Sequence, residues 1–214
     1  MNRLDLASLR RTYALSSLDE GAVDADPIHQ FERWFADAVS AEALEPNAMT
    51  LATASRDGVP SGRIVLLKGV DATGFAFYTD YRSRKGAELA ENPLAALVFL
   101  WKEIERQVRV TGAVARVSDA DAEAYFRSRP VGSRLGAWAS HQSAVLASRE
   151  ELEARVQDVA VRFPDGDVPL PPHWGGFRIA PDEIEFWQGR PDRLHDRLLY
   201  RHEQNGWVIS RLSP

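Results

Sequence analysis

What most limits the fold of this chain is a succession of short strand-period segments separated by tight turns. "AMTLATAS", a turn at Asp57-Gly58 and "SGRIVLLKGV" read as a β-hairpin, because Asp-Gly supplies the positive φ such a turn needs. "GFAFYTD" follows as a third strand after the turn "DATG", and "LAALVFLW" and the strongly alternating "RQVRVTGAVARV" are two more. Beyond the loop "PDGDVPLPP", the segments "GGFRIA", "EIEFW" and "RLHDRLLYRHE" are joined by turns, and Asn205-Gly206 leads into "WVISR". This pattern predicts seven or eight strands in hairpin order, with helices inserted between them. The expected class is mainly β with added helices (α+β), an antiparallel, Greek-key-like barrel and not a parallel βαβ sheet.

The inserted helices carry their own start and stop signals. Asp26 caps a helix with Pro27 in its first turn and Ile28, Phe31, Phe35 and Ala38 on one apolar face. Others run from Ser83 to Asn92-Pro93, from the cap Ser118 to Arg129 with Pro130 as the stop, and from the Ser148/Glu151 capping box to Arg162. A short helix from Leu4 to Tyr13 opens a loose arm over residues 1–25, ahead of a single domain over 26–214. No internal repeat interrupts this plan.

Composition excludes several classes. With 214 residues, 44% of them hydrophobic, the chain builds its own core without metal or disulfide staples. Cysteine is absent, which removes disulfides, thiolate nucleophiles and cysteine-ligated metals, and suits a reducing, cytoplasmic location. A net charge of −5 and a pI near 5.6 argue against a general nucleic-acid binder. The N-terminal stretch has no signal-peptide core, and no segment approaches the roughly 18 apolar residues of a membrane span. The five histidines (His29, His141, His173, His195 and His202) show no metal-ligand spacing. Phosphate-binding glycine motifs and a nucleophile elbow are missing too.

Against that acidic background, basic residues gather in four places. In "GRIVLLKG", Arg63 and Lys68 bracket an apolar strand; five apart, they would oppose each other unless Lys68, beside Gly69, turns inward at the strand end. In "YTDYRSRKGAE", Ser83, Arg84 and Lys85 stand at a helix N-terminus, where free N–H groups and the helix dipole favour an anion. In "AYFRSRPVGSR", Tyr125 and Arg129 share a helix face and Ser133 follows in a Pro/Gly loop, a set able to hold a second phosphate. In "EFWQGRPDRLHDRLLY", Arg190 precedes Arg193, His195 and Arg197, which line one face of an extended strand while Leu194 and Leu198 take the other. Each cluster read alone is also compatible with solvated charge. Together they suit a phosphorylated cofactor and a phosphorylated substrate.

From "LRRTY" at Leu9 to the closing "RLSP", the chain resembles the pyridoxine (pyridoxamine) 5′-phosphate oxidase family. The motifs that carry the resemblance are "RIVLLK", "FYT", "SRK", "ERQVRV", "YFRSRP", "GAWAS" with "QS", "PPHWGGFRI", "IEFWQG" and "RLHDR", all in order. The resemblance implies an FMN-binding split β-barrel and a homodimer with FMN at the subunit interface. By matching motif it implies a flavin site of Arg63, Ile64, Val65, Leu66, Leu67, Lys68, Tyr78, Thr79, Ser83, Arg84, Lys85, Gln107, Gln142, Ser143, Trp187 and Arg197. The substrate phosphate would meet Lys68, Tyr125, Arg129 and Ser133, and the pyridine ring would face Arg193 and His195. Arg10 and Tyr13 fall in a segment resembling the family's flexible cover over substrate. Thr12 stands where the family often has an acidic residue, and His141 where lysine is commoner.

The activity implied is oxidation of pyridoxamine or pyridoxine 5′-phosphate to pyridoxal 5′-phosphate, with hydride passing from C4′ to flavin N5 and O2 reduced to H2O2. Arg193, His195 and Arg197 are the expected catalytic residues. A side-chain-only oxidation is excluded, since no residue here accepts two electrons. Other readings of the same residues are a split-barrel flavoprotein with another substrate, or a non-catalytic binder of flavin or pyridoxal phosphate.

Overall fold

The computed structural model describes Leu9 and residues 11–214. In chain order the elements are α1 (Pro27–Ser40), β1 (Ala48–Ala54), β2 (Pro60–Leu66), β3 (Gly69–Asp71), β4 (Gly74–Asp80), α2 (Arg84–Glu91), β5 (Leu94–Trp101), β6 (Arg106–Arg116), α3 (Asp119–Ser128), α4 (Val131–Ala139), α5 (Arg149–Arg162), β7 (Trp174–Gln188), β8 (Asp196–Glu203) and β9 (Gly206–Arg211). The strands hydrogen-bond in the order β2-β1-β5-β6-β7-β4-β3, with β8 on β7 and β9 on β8, and the hairpin pairs are antiparallel. The α+β, antiparallel class expected from the turn pattern is the one observed.

The chain forms two compact units, neither contiguous in sequence. One comprises the residues up to Pro46 with Val98–Val110 and Asp182–Pro214; the other comprises Asn47–Leu97 and Thr111–Pro181. In the first unit, Asp26 accepts the Ile28 N–H at 2.7 Å and so starts α1, whose buried face is Ile28, Phe31, Trp34 and Ala38. Trp34 takes the depth expected of Phe35. Phe31 packs on Phe99 at 5.0 Å, and Phe186 meets Trp34 and Tyr200 at 5.2 and 5.3 Å. The second unit buries Phe75 and Phe77 of β4 with Phe177 and Ile179 of β7. Its strand β1 alternates as the sequence predicts, with Met49, Leu51 and Thr53 inward. Ser83, Ser118 and Ser148 each cap the helix assigned to them.

Four local expectations need correction. "GGFRIA" and "EIEFW" are one strand, β7, because the chain passes Pro181 without turning. Gly112 on β6 leaves the room, since a Cβ there would stand 1.9 Å from the Ala180 carbonyl oxygen. After Pro130 the chain enters a further helix, α4, and Ser133 stands in its first turn and not in a loop; the Ser133 N–H donates to the Pro130 carbonyl at 2.9 Å. The segment Pro191–Arg193 is a 3-10 turn with Asp192 and Arg193 at φ 56° and 62°, a conformation no strand can pass through. Arg193 and His195 therefore precede β8, and Leu194 is exposed. Among the described residues the strand total is nine. The expected helix from Leu4 to Tyr13 lies mostly outside the described residues, and Arg11–Tyr13 are not helical.

Gly74 sits at φ 119° at the head of β4, where a Cβ would stand 2.0 Å from the Ile179 carbonyl oxygen. Backbone strain and the clash together predict that Gly74→Ala lowers Tm by roughly 5–10 °C, read by scanning calorimetry.

Candidate functional site

The second unit holds a cavity of about 680 Å³ walled by β2, β4, α2, α3 and α4. Arg63, Ile64, Val65, Leu66, Lys68, Tyr78, Thr79, Lys85, Tyr125, Arg129, Ser133 and Gln142 all line it. Lys68 reaches it as expected, from the break between β2 and β3, where its N–H donates to the Ala76 carbonyl at 2.8 Å.

Among the described residues, two of its cations have no carboxylate in contact: Lys85 is buried and Arg129 is half-buried. The Lys85 ammonium donates to Gln142 Oε1 at 2.9 Å, Thr79 Oγ1 at 3.1 Å and Ser83 Oγ at 3.4 Å, all neutral. Burial, then the nearby Arg63 charge, pushes its pKa below the usual lysine range. Arg129 lies over the Trp174 ring at 4.6 Å, and its Nη1 is buried without a hydrogen-bond partner. Burial lowers its pKa as well. Tyr78, Tyr125 and Trp174 form a parallel stack: Tyr78 and Tyr125 are 3.9 Å apart, and Trp174 is 5.7 and 6.1 Å from them.

Arg63, by contrast, is fully committed. It donates to the Leu51 carbonyl at 3.1 Å, to Thr53 and Ser61, and to Glu88 at 3.3 Å. Burial raises the Glu88 carboxyl, but hydrogen bonds from Ser61, Thr53 and Arg84 and the Arg63 charge outweigh it and hold the pKa at about 2. Arg84 donates to Glu88 from the helix surface at 2.9 Å, and its backbone N–H donates to Ser143 Oγ at 3.2 Å. Ser83 is the buried cap of α2. Leu67 packs in the core and does not face the cavity.

The first unit gathers the remaining candidates. A cavity of about 550 Å³ is lined by Leu9, Arg11, Thr12, Tyr13, Arg190, Asp192, Arg193 and His195. The Arg190 N–H donates to His195 Nδ1 at 3.1 Å, which leaves Nε2 as the protonated nitrogen of the neutral ring. Burial, then the Arg193 charge, pushes the His195 pKa below its ordinary value. Trp187 is 4.5 Å from the His195 ring, and Tyr13 stands edge-on to both. Gln107 and Trp187 line an adjoining cavity that Tyr13 shares. Arg197 is absent from both linings; it donates to Glu185 at 2.8 Å and to the Ser213 carbonyl at 2.8 Å. Arg10 lies outside the described residues.

Several contributors escape the sequence reading. Trp174 falls inside a quoted motif yet shows no sign of its stacking role. Glu88 and Glu185, which hold Arg63 and Arg197, carry one weak signal: Glu88 follows Arg84 by one helical turn. Among the described residues no group of His, Cys, Asp and Glu could hold a metal, and no helix is long and apolar enough to cross a membrane.

The fold is antiparallel α+β, and its second unit carries a cationic, aromatic-walled cavity. Residues 35–163 match the family model described as "Pyridoxamine 5'-phosphate oxidase", and residues 174–214 match "Pyridoxine 5'-phosphate oxidase C-terminal dimerisation region". A pyridoxine/pyridoxamine 5′-phosphate oxidase of Paraburkholderia phymatum is 59% identical over 98% of this chain and 99% of its own, and one of Cyanothece sp. is 57% identical over 99% of both. The crystal structure of PhzG from Burkholderia lata, in complex with tetrahydrophenazine-1-carboxylic acid, is 33% identical, with a TM-score of 0.88 over 94% of this chain and 100% of its own. A pyridoxamine 5′-phosphate oxidase-related, FMN-binding protein from Nostoc punctiforme shares the fold, with a TM-score of 0.70, 18% identity and coverage of 86% of this chain and 97% of its own. The chain belongs to the pyridoxine/pyridoxamine 5′-phosphate oxidase family.

The Glu88 carboxylate makes a pH prediction. Its pKa is depressed from 4.5 to about 2 in the folded protein, so the stability it contributes is present above about pH 4.5 and is lost as the pH falls toward 2. Glu88→Gln therefore lowers Tm at pH 7 and flattens the fall of Tm between pH 4.5 and 2.5. Calorimetry at several pH values compares the two slopes.

Proposed function

We propose that this chain is an FMN-dependent oxidase that converts pyridoxamine 5′-phosphate and pyridoxine 5′-phosphate to pyridoxal 5′-phosphate. The amine reaction consumes O2 and water and releases ammonia and H2O2; the alcohol reaction consumes O2 and releases H2O2. The observation that carries this reading is a pair of cations in a single cavity, buried Lys85 and half-buried Arg129, with no carboxylate in contact among the described residues. Such groups are costly to bury unless an anion completes them, and phosphate supplies several charge-assisted acceptors.

The residues present fit a flavin phosphate at Lys85, Arg84, Ser83 and Ser143, near the start of α2, where the helix dipole favours an anion. Arg63, Lys68, Tyr78, Thr79, Gln107, Gln142, Trp187 and Arg197 complete our flavin assignment, with the apolar run Ile64 to Leu67 as its backbone support. When bound, FMN supplies a two-electron acceptor that O2 reoxidises. Lys68, Tyr125, Arg129 and Ser133 take the substrate phosphate. Fixing the phosphate fixes where C4′ lies, and orientation of this kind lowers a barrier by several kcal/mol.

Arg193, His195 and Tyr13 take the pyridine ring, and Arg10 is assigned with them. Arg193 stays protonated near neutrality, so it orients the ring and stabilises developing negative charge and does not act as a base. His195, neutral and fixed by the Arg190 N–H, presents its Nε2 proton as a donor to the substrate. The dimerisation region at 174–214 supports a homodimer. A cytoplasmic location agrees with the cysteine-free composition.

A second reading draws on PhzG: a phosphate-free, carboxylated polycycle as substrate. The Arg129 site discriminates. Arg129→Met should raise KM for pyridoxamine 5′-phosphate roughly 10–100-fold, the loss expected for a charged hydrogen bond, while FMN content stays unchanged. An unchanged KM favours the second reading. Arg197→Leu should reduce both flavin retention and turnover, because Arg197 is held in place by the buried Glu185. The decisive experiment is the visible spectrum during anaerobic addition of pyridoxamine 5′-phosphate. Bleaching of the flavin band, with aldehyde and peroxide appearing on admission of air, is the expected result; a band that does not respond overturns the proposed substrate.

A further inference from the structure

Glu105 is a buried carboxylate that pairs with no cation among the described residues. It stands at φ 56°, at the end of a 3-10 turn over Lys102–Ile104, where a β-turn type residue such as Gly or Asn would be the usual choice. The carboxylate is spent on one feature. Oε2 accepts the backbone N–H groups of two consecutive residues of the N-terminal segment, Ala14 at 2.8 Å and Leu15 at 3.0 Å. Burying a carboxylate is costly, and two charge-assisted N–H bonds are the compensation it receives.

The residue immediately ahead of this anchor is Tyr13, whose ring stands edge-on to Trp187 at 5.8 Å and to His195 at 5.9 Å. Gly189 completes the seat. Its N–H donates to the Glu105 carbonyl at 2.8 Å, and a Cβ on it would stand 2.7 Å from the Tyr13 ring and 3.1 Å from Glu105 Cβ. The strap continues past the anchor on further bonds: Arg190 donates to the Ser16 carbonyl at 3.2 Å, and Asp196 accepts the Leu18 N–H at 3.1 Å.

We infer that Glu105 is a positioning residue: it holds the N-terminal strap so that Tyr13 forms one wall of the cavity containing Arg193 and His195. Glu105 is not among the residues lining that cavity and acts through Tyr13. The inference rests on the proposed assignment of that cavity to the substrate ring, but the strap itself can be read without any substrate.

The test uses limited trypsin digestion of the full chain with FMN added, alongside steady-state kinetics with pyridoxamine 5′-phosphate. Glu105→Ala should speed cleavage at the Arg11–Thr12 bond about 10-fold or more and raise KM about 10-fold, with FMN affinity unchanged. Glu105→Gln, which keeps an oxygen acceptor without the charge, should restore most of both effects. Gly189→Ala displaces Tyr13 while leaving the carboxylate in place, so it should raise KM and cleavage in the same direction; it decides the matter if Glu105→Ala fails to fold. Wild-type cleavage and KM in Glu105→Ala, or in Gly189→Ala where that variant decides, overturn the inference. Faster cleavage in a protein whose wild type does not oxidise pyridoxamine 5′-phosphate upholds the strap and sinks only the substrate assignment.

Discussion

An ammonium or guanidinium drawn out of water favours a counter-charge, and among the described residues the second unit sets no carboxylate in contact with two of its cations. Lys85 is surrounded by hydroxyl and amide oxygens, and Arg129 is spread against an indole with one nitrogen left bare. The same unit pairs Arg63 with Glu88 and surrounds that carboxylate with hydroxyl donors. Arg63 is oriented by a charge partner within the fold, whereas Lys85 and Arg129 are held by neutral contacts. Much of the unit serves this arrangement: the cap Ser83 aims α2, the stacked rings of Tyr78, Tyr125 and Trp174 fix the opposite wall, and Gly176 leaves room for Tyr78.

The first unit solves a different problem, holding an aromatic and a histidine at fixed angles near a turn. Two consecutive residues at positive φ put Arg193 outside the strand, and a backbone N–H selects the tautomer of His195. Neither device depends on a charged pair. Both depend on backbone geometry, which tolerates side-chain substitution at the surrounding surface better than a salt-bridge network would.

The legibility of these features in the sequence follows from how local their causes are. Helix caps at Asp26, Ser83, Ser118 and Ser148 depend on residues two or three positions away, and all four appear where their signals stand. Strand alternation in β1 and the turns at Gly58 and Gly206 are equally local. What was hidden depends on distant neighbours. Pro181 reads as a break until Gly112 is known to face it, and Pro130 reads as a stop although the chain restarts a helix at once. The twelve cavity residues expected from motif resemblance do gather, but the carboxylates that hold Arg63 and Arg197, Glu88 and Glu185, are distant from them in sequence, and only the Arg84–Glu88 spacing hints at one of them. The face shared by Arg193, His195 and Arg197 was inferred from strand period alone, and period has no force where the backbone turns left-handed.

Strands β5, β6 and β7 each run from one compact unit into the other. A ribosome delivers the chain in order, so α1 emerges early yet belongs to a unit whose closing strands, β8 and β9, emerge last. Phe31 of α1 meets Phe99 and Trp101 midway through synthesis, but Trp34 waits for Phe186, which emerges late and is followed by its own neighbour Tyr200. That sequence separation makes the first unit the later of the two to close, since its last segment ends at Pro214 and that of the second unit at Pro181.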